Sequence, residues 1–507
     1  MSQIVISGFA PTDKVPGAYG EVLFGTGAIS VGSIPLVLLL VGLKTAAGNA
    51  APDTQVRSVF SETDARRFFG GGSQLARMAS SALRVSGVTI RAIAVAEAPG
   101  AVAATVRIAI AGTWNTSWNI GYRIGGKLYA SIVGSTDTPA QAAQNIAAVF
   151  NGDPDCPATA AAAPDGSVTL SVKCKGAWGN RFLAFDASEP PSGATSTITG
   201  GAAATGGGVF FGGGTGVEDV SNVLSTIHPQ TYDRIAVGQI DATNIGRWRA
   251  QVNAQADVLV GILQHAIVAS NDTLTAAVSI AQNTLNSERF QVCWFQNSET
   301  HPSEIAAAMA ALRTQREQSD PDASYDNAVL AGVAPQSQVA DIPQHGTLVS
   351  ALNNGITPIT TTSDGFAVVV RSIVSHSLRG SIPDYSTLDT GDAVVPDYIL
   401  KDLKLVWSTQ VAPANPRIAP DVGPQERRRP SGVLTPSVWN GIVYTRLKRF
   451  EAGTDLPAPI LINVDGNLPV STFDTTALRI MTAVRVIAAP ANHQIGISVR
   501  PTSLAAA

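Results

Sequence analysis

The side chains able to do chemistry are few and scattered. Six histidines, His228, His265, His301, His345, His376 and His493, contain no His-x3-His pair and no adjoining Cys or carboxylate cluster, so no metal site is expected. His345 opens a His-Gly-Thr tripeptide and Asp389 an Asp-Thr-Gly, a candidate base and carboxylate for a nucleophilic triad. As an aspartic-protease loop, Asp389-Thr390-Gly391 would need a second such loop facing it to share a proton. Gly70-Gly71-Gly72-Ser73 before a helix could cradle a phosphate, yet no Lys follows where a P-loop needs one, and an N-cap turn is the expected role. Cys156, Cys174 and Cys293 lack metal-ligand spacing. Cys156 and Cys174 flank one β-rich segment and could meet, while a reducing compartment would leave free thiols. Trp114, Trp118 and Trp178 read as core or interface anchors, with a sugar-binding platform as the alternative. The expectation is no catalytic residue, no cofactor and no metal.

The elements that would position these groups read as α/β. Residues 34–42 (IPLVLLLVG) form a buried-strand candidate. Thr63-Asp64 offers an N-cap for a short helix ending at Gly70. Gly71-Gly72-Ser73 caps a second, with Leu75, Met78, Ala79 and Leu83 on one face, and residues 88–95 are strand-like. Two strands joined by a helical crossover imply a parallel sheet with helices on its faces. Residues 98–208 turn Ala/Thr/Gly/Val-rich, with strands expected over 102–110, 118–124, 127–133 and 167–174 and a helix over 138–150. This segment is read as an inserted, autonomous β-rich domain. The α/β rhythm resumes: helix 217–227, strand 235–237, helix 244–256, strand 258–263, strand 290–295, and a helix over 301–318 with Pro302 at its first position. Beyond Arg371, helices are expected over 398–409 and 437–450, with strands over 478–488 and 494–499. The linker 412–430 holds five prolines.

Composition sets outer bounds. A chain of 507 residues splits into several domains, and 45% hydrophobic residues argue for folding despite 47 Gly and 30 Pro. Only 14% of residues are charged, less polar surface than a soluble monomer wants, so burial against further copies of the chain is expected. A net charge of −4 gives no footprint for nucleic acid, and Arg427-Arg428-Arg429 between prolines reads as a solvated or subunit-pairing loop. The run 34–43 is too short to span a bilayer and follows no basic segment, so neither membrane insertion nor Sec export is expected.

Four blocks share an order with a known family. Phe69-Gly70-Gly71-Gly72-Ser73-Gln74-Leu75-Ala76-Arg77-Met78 is similar to an "FG-x-G-S-x-L-A-x-M" helix start. Gly176-Ala177-Trp178-Gly179-Asn180 is similar to a "KG-x-x-GN" turn, and Ala331-Gly332-Val333-Ala334-Pro335 to a "PGV-x-AP" segment. Val370-Arg371-Ser372-Ile373-Val374 with Pro383-Asp384-Tyr385-Ser386-Thr387-Leu388-Asp389 is similar to an "R-x-I-T-T…D-x-S-Y-L-D" block. Across roughly residues 15–405 this order resembles the Mu-like tail sheath proteins of contractile phages. The end departs from that pattern, reading as two strands where the family often closes with a polar helix and one strand.

The resemblance implies a multidomain α/β fold. A doubly wound, subtilisin-like sheath core (21–97 and 209–370) would carry the β-rich insert 98–208 on its outside, an extended N-terminal arm 1–20, and a C-terminal α+β domain 371–507. It implies a non-enzymatic subunit that stacks in hexameric rings around a tail tube and contracts to drive the tube through the host envelope. Expected partners are further copies of the chain, the tube protein, and the baseplate and tail terminator proteins; the expected location is the virion tail, assembled in the host cytoplasm. The subtilisin link also bears on His345 and Asp389, whose tripeptides match those of the subtilisin base and aspartate but in the wrong order, with no Gly-Thr-Ser-Met-Ala nucleophile helix. The alternatives are a pyocin-like or secretion-system sheath and, from a different class, a serine hydrolase. Neighbouring subunits are expected to exchange strands through Val15 and Tyr19 of the arm and Leu478, Ile480, Val484, Val486, Ile495, Ile497 and Val499 near the C-terminus.

Overall fold

The computed structural model describes residues 36–421 and 432–489. Val15, Tyr19 and the rest of the arm, the Arg427–Arg429 run, His493, and the expected strand with Ile495, Ile497 and Val499 lie outside the described residues.

Strand β1 (Val37–Leu43, VLLLVGL) is a near-continuous apolar run, the pattern of a parallel strand buried on both faces. It alternates strictly: Leu39, Val41 and Leu43 enter one apolar cluster, Leu38 and Leu40 another. Strand β2 (Val56–Val59), unforeseen from the sequence, pairs antiparallel with β3 (Thr89–Val95) at the sheet edge. Helices α1 (Glu62–Phe69) and α2 (Gln74–Leu83) make the crossover, and β1 and β3 pair in parallel over seven residues, Val37↔Thr89 to Leu43↔Val95. The cap of α1 is Ser61, whose hydroxyl accepts the Asp64 N–H, rather than Thr63-Asp64, because Ser61 is the last extended residue.

Residues beyond 98 build two antiparallel sheets around α3 (Pro139–Gly152), which is held by a Thr138/Gln141 capping box. One has the order β10-β4-β8-β7: β4 is Thr105–Gly112, β7 Ala158–Ala162, β8 Ser167–Val172 and β10 Ala194–Thr199. The other has the order β11-β9-β5-β6: β5 is Trp118–Ile124, β6 Lys127–Val133, β9 Leu183–Asp186 and β11 Val209–Phe210. The apolar core of this unit is not its own. Ile108, Tyr122, Phe150 and Trp178 belong to the same cluster as Leu39, Val41 and Ile93 of the large sheet.

Helix α4 (Ser221–Ile227) leads to β12 (Arg234–Val237), α5 (Ala242–Gln255), β13 (His265–Ser270) and α6 (Leu274–Val278), then β14 (Phe290–Trp294) and α7 (Pro302–Glu317). Next come β15 (Ala328–Val329), α8 (His345–Asn353), β16 (Thr357–Thr361) and β17 (Ala367–Val369). The nine-stranded sheet has the order β15-β17-β16-β14-β13-β12-β1-β3-β2. Its central strands run parallel, so the mixed α/β class holds. The strand expected at 258–263 is instead a turn: Gly261, at φ +65°, donates to the Asp257 carbonyl, and β13 starts beyond it.

The C-terminal part opens with the short hairpin β18 (Leu378–Arg379) and β19 (Ile382–Pro383). Helix α9 (Thr390–Val406) follows, eight residues before its expected start, because Asp389 and Asp392 form a capping box there. Strands β20 (Arg417–Ile418) and β21 (Val433–Leu434) precede α10 (Pro436–Glu451). The expected strand 478–488 is split. Strand β24 (Arg479–Ala483) pairs with β23 (Val470–Asp474), and β25 (Ile487–Ala488) pairs with β22 (Leu461–Ile462).

Candidate functional site

In open parallel sheets ligands sit where the strand order reverses, beyond the carboxyl ends of the strands. Here that point lies between β1 and β12, and a side chain of the chain itself fills it. Gln74, the first residue of α2, accepts the Leu43 N–H on Oε1 at 2.8 Å and donates from Nε2 to the Gly238 carbonyl at 2.8 Å. Gln74 is 1% exposed. Gly42 and Gly238 give it room, since a Cβ on either would come within 3.1 Å of its amide.

The other candidates resolve individually. Asp389 caps α9 and binds the Arg371 guanidinium through both oxygens, at 2.7 and 2.8 Å. His345 is exposed at the start of α8, and no hydrogen bond or ion pair joins it to Asp389. The Gly70–Gly72 turn is a docking surface for the insert. Gly72 has φ +74°, and a Cβ there would lie 2.0 Å from the Cys156 carbonyl oxygen. Lys173 donates to the Gly71 and Pro154 carbonyls at 3.3 and 3.0 Å, tying the turn to the insert. The three cysteines are buried and unbonded to one another, and burial pushes the Cys174 and Cys293 thiols up to about 12. His301 caps α7, with Pro302 next, and its ring reaches the Trp178 carbonyl at 3.1 Å; burial pushes its pKa down to about 3. Trp114 and Trp118 meet edge to face at 5.6 Å, and the Trp114 indole donates to the Gly134 carbonyl, so both act as anchors of the insert. Among the described residues no group of His, Cys, Asp and Glu could hold a metal, and no helix is long and apolar enough to cross a membrane.

Of the strand-exchange candidates within the described residues, Leu478 is 69% exposed in the β23–β24 turn at φ +52°, and Ile480 pairs with Phe473 across the hairpin. Val484 and Val486 pack on the C-terminal core, Val486 fully buried there. Sequence reasoning missed the neighbours that share Leu478's exposure: Leu468, Val470, Ile462 and Ile487. For Ile462, Leu468 and Val470 the signal was the apolar residues of 461–470 flanking Asp465-Gly466-Asn467.

A second missed feature lies under α9. Asp397 receives the His265 ring Nε2 at 2.9 Å and both Arg289 terminal nitrogens at 2.5 and 3.0 Å, all buried. One turn on, the Lys401 ammonium donates to Asp233 at 2.6 Å, and Asp233 also accepts the Val37 N–H at 3.0 Å. These contacts lie at the amino ends of β1, β12, β13 and β14. The signal was Asp397 and Lys401 four apart on one helix.

No family model matches the chain, and no curated protein does. Among solved structures it is similar to the sheath tail protein from Desulfitobacterium hafniense (12% identity, 95% of this chain and 100% of that one, TM-score 0.45). It is similar to a sheath tail protein from Listeria innocua (11%, 91% and 93%, 0.46) and to the helical sheath of the anti-feeding prophage in its contracted state (12%, 97% and 99%, 0.47).

Proposed function

We propose that this chain is the structural subunit of a contractile tail sheath. The carrying observation is the shared order of the four sequence blocks from Phe69 to Asp389. The low charge and the exposed apolar residues of the β22–β25 region fit a surface completed by other subunits. The switch-point crevice filled by Gln74, and Asp389 engaged by Arg371, fit a fold that performs no catalysis.

On this reading the nine-stranded sheet (21–97 and 209–370) is a subtilisin-like core, 98–208 an outward-facing unit, 371–507 the linking domain, and 1–20 an arm. Copies of the chain stack as hexameric rings around a tube protein between a baseplate and a terminator, assembled in the host cytoplasm. Neighbours are joined by strand exchange involving Val15, Tyr19, Leu478, Ile480, Val484, Val486, Ile495, Ile497 and Val499. Negative-stain microscopy of the purified protein tests it. Hollow cylinders or six-fold rings are expected; a monodisperse monomer at every concentration would overturn it.

A further inference from the structure

The chain is built as two mechanical bodies of unequal attachment. The insert shares its apolar cluster with the large sheet. By contrast, the C-terminal cluster of Val395, Tyr398, Ile399, Val443, Leu447, Phe450, Leu456, Ile460, Leu461, Val464 and Val486 contains no residue of that sheet. This small core is braced internally by Arg446, which holds Asp402 through two bonds at 2.7 and 2.8 Å and Asp455 at 2.9 Å, tying α9 to α10. Among the described residues, charged groups attach it to the sheet through Asp397 to His265 and Arg289, and Lys401 to Asp233.

Helix α9 also has a built-in weak point just before those contacts. Its first turn is bound to the core segment, with Asp389 on Arg371 and the Thr390 N–H on the Ser372 carbonyl at 3.2 Å. Pro396 follows inside the helix, where it supplies no N–H for the Asp392 carbonyl and crowds it. Core-bound turn, proline, charged contacts and a separate apolar core thus follow one another along a single helix.

We infer that α9 is a charge-held latch with its hinge at Pro396, from which the described residues 397–421 and 432–489 swing off the large sheet as a folded body. Breaking a buried ion pair by removing one charge leaves the other uncompensated, so release is controlled at Asp397. The opening is sub-global: the sheet and insert keep their shared core, and the C-terminal unit keeps its own apart from Val395, which borders the hinge. This rests on packing within one chain and not on the sheath reading.

Native-state hydrogen exchange read by peptide mass spectrometry on the full chain, in sub-denaturing urea, tests it. In the wild type, α10 should exchange through an opening that leaves β1, β12, β13 and β14 protected. Asp397→Asn should accelerate α10 exchange about tenfold without changing those strands, Lys401→Met should do so less, and Pro396→Ala should slow it. A common exchange rate for α10 and the sheet strands in the wild type would overturn the latch. So would Asp397→Asn accelerating both alike or yielding no folded core, since latch and core would then be inseparable. Unchanged exchange in Pro396→Ala would overturn the hinge position.

Discussion

The Arg77 guanidinium and the Glu304 carboxylate form a two-bonded pair between α2 and α7, Nε to Oε1 at 2.8 Å and Nη2 to Oε2 at 3.1 Å. The same guanidinium donates to the carbonyls of Gly125 and Asp155, so one side chain ties both helices to the insert. Burial raises the Glu304 pKa although Arg77 opposes it. Arg77→Met, which strands that carboxylate, should therefore cost about 3–5 kcal/mol. Urea denaturation checks this, and adding Glu304→Gln should recover part of the loss.

The Gly70–Gly72 turn gives a steric prediction. Gly72→Ala places a methyl in the left-handed region and against the Cys156 carbonyl, which is backbone and cannot rotate away. The expected result is a drop in thermal midpoint. Gly87→Ala, also at positive φ but with open space around it, should cost far less.

Two buried histidines set the acid limb of stability. Burial holds His265 and His301 down at about 3 in the folded chain, against an ordinary value of 6.5. Below pH 6.5 the unfolded chain takes up protons that the folded one refuses. Stability should fall from pH 6.5 toward 3 by up to about 1.4 kcal/mol per pH unit for each histidine. Urea midpoints at pH 7, 6, 5 and 4 should show this slope, reduced by one proton in His301→Gln.

Asp322 carries the opposite sign. Burial first, then the carboxylates of Asp392, Asp320 and Asp389, push its pKa up to about 8. The folded chain keeps a proton there that the unfolded chain releases above about 4, so this contribution is full below the unfolded value and is lost as pH rises toward 8. Asp322→Asn should be more stable than wild type at pH 8 and close to it at pH 4, measured by denaturation at both.

For assembly, exposed positions give the clean test, because Val486 is part of a core and its replacement would unfold the C-terminal unit. Leu468→Lys with Leu478→Lys alters only solvated side chains. On the proposed sheath reading, circular dichroism should be unchanged while sedimenting polymers disappear. Wild-type polymer length in this double variant would contradict a role for the hairpin in subunit contact.

The parts legible in the sequence were those set by local chemistry. The run Val37–Leu43 reads as a strand because it holds no polar side chain, Ser73 marks a helix start by capping, and Pro302 marks one by standing at the first helical position. The strands Ala158–Ala162 and Ala194–Thr199 were missed because alanine and threonine carry little hydrophobic alternation; their register comes from β8 and β4 beside them. Turn residues 258–263 were misread because two exposed apolar side chains, Leu259 and Val260, imitate a strand. Gln74 gave no signal for its role, since the Gly238 carbonyl it binds lies 164 residues away, and Asp397 gave only its spacing from Lys401, since His265 lies 132 residues away.

The two-faced burial of β1 bears on how the polypeptide is made. Val37 must meet Asp233, 196 residues later. At about 5–20 residues per second, the ribosome takes about 10–40 s to deliver that partner. Until then an uncharged strand with five consecutive large apolar residues, Val37 to Val41, has β3 on one edge and nothing on the other. Newborn chains are therefore prone to pair with one another at this edge, and high yield of the folded protein calls for slow synthesis or a chaperone that shields Leu38–Val41 until β12 emerges.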